Sequence, residues 1–329
     1  MDHSVRIPMS PPVILPVKDT ERPLWSVMIP VYNCTRYIPE LLARILSQDP
    51  GPDKMQIEIC DDASTDADVE SIVKKTGQGR VAYFRQSCNV GSLRNFETCL
   101  NRSRGKLIHL LHGDDQIRTG FYEKMENLFQ HFPEAGAAFC RYISVDEYNG
   151  EELMSELEMP EQGILDNWLE RLACKQRIQT PSVVVKRSVY ESLGGFYGVH
   201  YGEDWEMWLR IAAHYKMAYL PEVLAEYRKH ADSISGQYIL TGKNIRDLKQ
   251  VMSIAEKYFT PDQWRKINEK ARKFYAGYAI NTARKIWGRY QHRKGTRMQI
   301  REAVSLSADG HIIFQAVKLY IKMLLGIKR

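Results

Sequence analysis

The chain has 329 residues, 44% hydrophobic, 10% aromatic and 26% charged, a composition that excludes a disordered or fibrous protein. Lys+Arg 46 against Asp+Glu 40 leaves a formal charge of +6, too modest for this length to indicate nucleic-acid binding but suited to phosphate-bearing ligands or an anionic membrane surface. Cys34, Cys60, Cys88, Cys99, Cys140 and Cys174 show no CxxC spacing, which excludes the usual zinc and disulfide frameworks and leads us to expect reduced thiols in a cytoplasmic protein.

Pro8, Pro11, Pro12, Pro16 and Pro23 deny residues 1–23 helical dihedrals and backbone donors, so an extended arm is expected there. The start lacks the pattern of a secretory signal and no run of eighteen apolar residues occurs, so neither export nor a membrane span is expected. From Trp25 short apolar runs alternate with amphipathic segments: WSVMIPV, IPELLARIL, MQIEICDD, DVESIVKK and VAYFR. A helix over 93–101, a strand KLIHLLH, a helix over 120–131 and a strand AGAAFCRYISV continue the β/α alternation of a largely parallel sheet. Residues 150–180 read as a helical and irregular excursion. Strand SVVVK, helix SVYESLG, helix EDWEMWLRIAAH and strand MAYLPEVLAEYR follow. The expected domain spans 24–238, and residues 239–329 form a helical region in which RDLKQVMSIAEKYF, AGYAINTARKIWGRY and HIIFQAVKLYIKMLL repeat apolar residues at three and four.

Ligands of open α/β sheets sit beyond the carboxyl ends of strands, so polar clusters just after apolar runs are the places to search. Four occur: Pro30-Val31-Tyr32-Asn33 after WSVMI, Asp61-Asp62-Ala63-Ser64-Thr65-Asp66 after QIEIC, His112-Gly113-Asp114-Asp115 after LIHLL, and Gly202-Glu203-Asp204-Trp205 opening a helix. Singly, DDASTD reads equally well as a helix N-cap and PVYN as a plain turn. Three acidic loops and a tyrosine loop, in this order at successive strand ends, are not predicted by capping alone.

The runs SVMIPVYNCTRYIPELLARILSQ, IEICDDASTD, NVGSLRNF, GKLIHLLHGDD and GGFYGVHYGEDWEMWLRIA resemble the family 2 glycosyltransferases, inverting enzymes of GT-A fold. The resemblance spans Pro23 to Ser235 and leaves the arm and the helical tail uncovered. It implies an α/β GT-A fold, a mostly parallel sheet flanked by helices, with the C-terminal helices as an appendage. It implies a nucleotide diphosphate sugar as donor, a hydroxyl of a glycan or lipid-linked glycan as acceptor, and Mn2+ or Mg2+ as cofactor. By the same likeness Pro30 and Tyr32 pack on the base, Asp62 accepts from a base ring N–H, Arg94 lies near the nucleotide, and Asp114 touches ribose or orients the metal shell. Asp115 is a metal ligand, His230 a further metal or phosphate contact, and Asp204 the general base, with Glu203 orienting its neighbours. A carboxylate only accepts hydrogen bonds, which favours a UDP or dTDP sugar over a guanosine one.

His112 departs from the family's acidic pattern. Two aspartates still suffice for a nucleotide-site metal, and His112 is left outside the expected ligand set. An aspartate at a helix N-terminus is expected to be held ionised by the dipole, hence a weaker base. Trp205 and Trp208, at i and i+3, read either as an acceptor-stacking wall or as core. The segment IIFQAVKLYIKMLLGIKR is amphipathic, and peripheral membrane contact, packing on the catalytic domain and pairing with a twin subunit in a homo-oligomer all account for it. No nucleic acid is expected as partner. A sugar nucleotidyltransferase and a non-catalytic glycan- or nucleotide-binding protein are the competing readings; the first lacks a glycine-rich triphosphate loop in PVYNCTR, and His112 favours the second.

Overall fold

The computed structural model describes residues 6–19, 21–230 and 234–327. They fall into two compact units, Met1–Trp168 with Arg177–His200 and Arg210–Lys229, and Leu169–Gln176 with Tyr201–Leu209 and His230–Arg329. The second unit thus takes in two segments, 169–176 and 201–209, from inside the span expected for the catalytic domain.

In the first unit, β1 (Trp25–Val31) is buried along its whole length, as expected of a strand covered on both faces. Helix α1 (Ile38–Leu46) buries Ile38, Leu41, Leu42 and Ile45, whose three and four spacing puts them on one face against the core around β1. Strand β2 (Met55–Asp61), helix α2 (Val69–Thr76), strand β3 (Ala82–Arg85), helix α3 (Ser92–Arg102) and strand β4 (Leu107–Leu110) complete the regular alternation. Strands β1 to β4 pair in parallel in the order β3-β2-β1-β4. The cap of α2 is Asp68, whose carboxylate accepts from the Ser71 N–H at 3.2 Å. DDASTD is therefore not a helix cap.

Beyond β4 the sheet turns mixed. In chain order come β5 (Gln116–Ile117), α4 (Phe121–His131), β6 (Ala135–Asp146), β7 (Glu151–Met154), β8 (Gly163–Ile164), α5 (Trp168–Cys174), β9 (Val183–Lys186), α6 (Arg187–Leu193), α7 (Glu203–His214) and β10 (Lys216–Lys229). Strand β9 lies antiparallel between β4 and β6, while β6 and β10 pair in parallel. Strands β7 and β8, in the stretch read as helical and irregular, are short antiparallel additions to β6 and β10. Four or fewer residues carry no readable period, so only their partners reveal them.

The arm runs without helix or strand over residues 9–19 and is fastened to the first unit by its own carbonyls. Gly195 N–H donates to Pro12 O at 2.8 Å, Gly198 N–H to Pro8 O at 2.9 Å, and Ile14 is 1% exposed. Arg187, equally buried, donates to Leu15 O, Leu100 O and Glu191 at 2.8, 2.6 and 2.9 Å. A guanidinium so deep is tolerated because its donors are satisfied.

The second unit is helical. Helix α8 (Ile234–Thr241) and α9 (Lys243–Ala255) precede α10 (Pro261–Tyr290), which opens with a capping box between Thr260 and Gln263. Helices α11 (Arg293–Leu306) and α12 (Gly310–Leu324) both pack on α10.

Candidate active site

The carboxyl ends of β1 and β2 are laced together by the predicted loops. Asn33 and Ala63 both adopt left-handed backbone, φ 52° and 59°, a conformation costly for residues other than glycine and frequent at functional loops. It is stabilised by reciprocal bonds: Asn33 N–H donates to Ser64 Oγ at 3.0 Å and Thr65 N–H to Asn33 Oδ1 at 2.8 Å. Asp66 accepts from the Thr35 amide and hydroxyl at 3.0 and 2.7 Å. This interlock leaves Tyr32 with half its surface exposed at the strand end, while Pro30 is buried within β1.

Asp62 is buried and accepts three hydrogen bonds, from Val90 N–H at 2.7 Å, Gly91 N–H at 2.9 Å and Asn89 Nδ2 at 2.9 Å. Burial raises its pKa above the usual carboxylate range and the two amides oppose that rise. Gly91 presents its amide to Asp62 at φ 92°, which explains why glycine stands there. A carboxylate has about four acceptor positions, and these three bonds take one on Oδ1 and two on Oδ2. Asn89, within the NVGSLRN run but not singled out from sequence, is the side chain that completes this cradle.

The turn after β4 is built by close approach. A Cβ on Gly113 would lie 2.8 Å from Cys34 Sγ and 3.0 Å from Val31 Cγ2, so only glycine lets the loop sit against β1. Asp115 N–H closes the turn on His112 O at 3.1 Å. Arg228, at the end of β10, then pins it: its N–H donates to Asp115 Oδ1 and its Nε to Asp114 O, each at 3.0 Å.

His112, Asp114 and Asp115 each offer a ligand atom within 4.8 Å of the others. Asp115 is 1% exposed, and its Oδ2 has no hydrogen-bond partner among the described residues; His112 Nε2 is likewise buried and unpartnered. An unpaired buried acceptor costs about 1–3 kcal/mol, a cost that a cation at this point offsets. Burial, with Asp114 adding to it, pushes the Asp115 carboxyl well above the usual range, and burial pulls the His112 imidazole down, toward the neutral form that ligates metals. Phe96 stacks on the imidazole at 5.1 Å and orients it. The three side chains therefore fit a divalent cation, and His112, left out of the ligand set in sequence, belongs with the cluster.

In the second unit, Asp204 stands in the first turn of α7, half-buried. Gln176 Nε2 donates to its Oδ2 and the Trp205 N–H to its Oδ1, each at 2.7 Å. Gln176 is in turn held through its own N–H by Tyr275 Oη at 2.9 Å. Burial raises Asp204 to about 6, against the lowering effect of these two donors. The expectation of a dipole-weakened base is thus reversed: withdrawal from water outweighs the helix end, and the carboxylate is a stronger base than an exposed aspartate. Glu203 is pushed well above its usual range by burial and by Asp204 and Asp247. Gln176 carries no motif; only the fold brings it to Asp204.

Trp205 and Trp208 are both fully buried, and Trp205 Nε1 donates to Leu172 O at 2.8 Å. The acceptor-stacking wall is therefore excluded. Arg94 is engaged by Glu97 at 2.7 Å and lines a shallow groove along α3 with Gln86, Thr98 and Arg102. His230 falls in the second unit, and Ala231, Asp232 and Ser233 after it lie outside the described residues.

A family model described as glycosyl transferase family 2 matches residues 26–194, more than half of the chain. The chain belongs to glycosyl transferase family 2. The chain is similar to an uncharacterized protein of Mycobacterium tuberculosis, 26% identical over 70% of this chain and 75% of that protein. An uncharacterized glycosyltransferase of Mycoplasma pneumoniae is 32% identical over 37% of this chain and 41% of that protein. Among solved structures, S. aureus TarS 1-349 in complex with UDP-GlcNAc matches with TM-score 0.63 and 13% identity, over 92% of this chain and 89% of that one. The mannosyltransferase PcManGT of Pyrobaculum calidifontis, in complex with GDP-Man and Mn2+, matches with TM-score 0.56 and 19% identity, over 97% and 90%. At such identities the structural likeness establishes the shared fold alone, a mixed α/β sheet with flanking helices and a C-terminal helical region; the family match makes the chain a glycosyltransferase.

Proposed function

We propose that this glycosyltransferase moves a single sugar from a UDP- or dTDP-linked donor to a hydroxyl of a glycan or lipid-linked glycan, with inversion at the anomeric carbon. The observation that carries the reading is the buried Asp115 Oδ2 in the turn after β4, which accepts no hydrogen bond from the described residues and lies 3.9 Å from His112 Nδ1, with Asp114 beside both. These three residues would hold a divalent cation, which supplies positive charge against that growing on the leaving diphosphate. A donor set containing an imidazole suits Mn2+ better than Mg2+. Tyr32 offers an exposed ring to the base, and the remaining acceptor position of Asp62 takes a pyrimidine imide N–H. Arg94 gives a guanidinium to phosphate oxygens on leaving Glu97. Asp204 takes the proton of the acceptor hydroxyl as it attacks.

Incubation with UDP-, dTDP- and GDP-sugars, with and without Mn2+, is expected to release UDP or dTDP only with the metal. Release from GDP-mannose alone would overturn the pyrimidine assignment, and no release from any donor would overturn the catalytic one.

Gln176 sets how strong a base Asp204 is. Because its Nε2–H stabilises the ionised carboxylate, Gln176→Leu is expected to raise Asp204 above about 6. The acidic limb of the kcat/KM profile then moves to higher pH while the plateau rate falls less than severalfold. An unmoved limb would separate Gln176 from the base.

A further inference from the structure

Helix α12 shows two apolar faces where a helix packed on a single neighbour has one. Ile312, Ala316, Leu319 and Met323 are buried within the second unit. Ile313, Phe314, Val317, Tyr320, Ile321 and Leu324 are exposed, Phe314 by 62% and Leu324 by 79%. At about 100° per residue these six fall within an arc of about 120°, next to the buried arc, so they form one continuous stripe rather than scattered exposures. Of the eighteen large apolar side chains exposed among the described residues, eight lie between Ile313 and Ile327. A patch concentrated in this way marks an interaction surface.

The polar arc bordering the stripe is basic. Lys318 is exposed beside it, and Lys322 and His311 lie on the same side. Arg284 of α10 reaches Gln315 on α12 and adds a further cation. Residues 310–329 contain Lys318, Lys322, Lys328 and Arg329 and no Asp or Glu. Pairing of the stripe with that of a second copy would bring these cations together with no acid of the same segment to neutralise them. An anionic surface with an apolar interior satisfies both features: the stripe enters the acyl boundary and the lysines meet headgroup phosphates. Among the described residues no helix is long and apolar enough to cross a membrane, so the contact is one of lying on the surface.

We propose that the outer face of α12 docks this enzyme on an anionic lipid bilayer. The proposal is independent of the donor and of the metal. Co-sedimentation of the full chain is measured with vesicles of phosphatidylcholine alone and with about 30% phosphatidylglycerol. Wild type is expected to sediment with the anionic vesicles and little with the neutral ones. Phe314→Glu with Ile321→Glu, both at exposed positions and so compatible with an unchanged melting curve, is expected to lower the partition coefficient at least tenfold. Lys318→Glu with Lys322→Glu is expected to lower it about tenfold at low salt, and the wild type is expected to lose affinity as salt rises. Absent binding, or binding equal in wild type and Phe314→Glu/Ile321→Glu, overturns the proposal. So does a dimer in light scattering that this variant dissolves while vesicle binding is missing, which would give the stripe to a second copy.

Discussion

Asp204→Asn is expected to lower kcat by about 10^2- to 10^4-fold, the range that general-base catalysis contributes. The substitution keeps the volume and one oxygen acceptor while removing the site where a proton is taken up. Gln176 Nε2 and the Trp205 N–H now share the acceptors of Asp204, and an amide satisfies one of them. Losing one such bond is offset by relief from holding a charge in a recess, so the fold is retained. Calorimetric affinity for nucleotide and Mn2+ is expected to stay at the wild-type level, which distinguishes lost chemistry from lost binding. Retained turnover would remove Asp204 from the mechanism.

The same residue sets a pH signature. Only the ionised carboxylate accepts a proton, so kcat/KM is expected to rise with pH through an apparent midpoint near the Asp204 value of about 6 and then level off. The stability sign is opposite. The folded-state value lies above the unfolded one, near 3.9, so the native state binds more protons across that window and stability falls as pH rises from about 4 to about 6. Asp204→Asn abolishes that contribution, and its melting temperature is expected to equal or exceed that of wild type at neutral pH. A wild-type profile flat between pH 5 and 7 would contradict the assignment.

Asp115→Asn is expected to reduce Mn2+-dependent turnover about a hundredfold or more, because a metal on a diphosphate contributes several kcal/mol to the barrier. The oxygen that accepts from the Arg228 N–H can be kept by asparagine, so the pinned turn survives. What disappears is the charge on the unpartnered Oδ2. Titration calorimetry should show loss of metal-dependent UDP affinity, and in thermal melts the upward shift that Mn2+ gives to wild type should vanish. His112→Ala is expected to weaken Mn2+ more than Mg2+, since the nitrogen donor matters more to the former. Unchanged metal affinity in Asp115→Asn would dissociate this turn from the cation.

Much of this was readable from residue order, because strands and helices with strong periods announce themselves locally. WSVMIPV, QIEICD and KLIHLLH mark β1, β2 and β4, and the polar residues after each are the ones found at the strand ends. The acidic loops and their order were likewise legible, and so was the helical character after 239. Partnership was not, since it joins residues far apart in the chain. Nothing in the order of residues says that Asp68 rather than DDASTD caps α2, that β9 inserts antiparallel beside β4, or that Trp205 and Trp208 are both buried. The chemistry of the acids belongs to the same class. A helix-end rule lowers Asp204, whereas burial raises it to about 6 despite the bond from Gln176. A motif rule discards His112, whereas the turn set by Gly113 and Arg228 places its imidazole beside Asp114 and Asp115. Residue order thus named the groups and the strand ends that carry the loops; burial and long-range hydrogen bonds, which exist only once the chain is folded, decided their charge and their company.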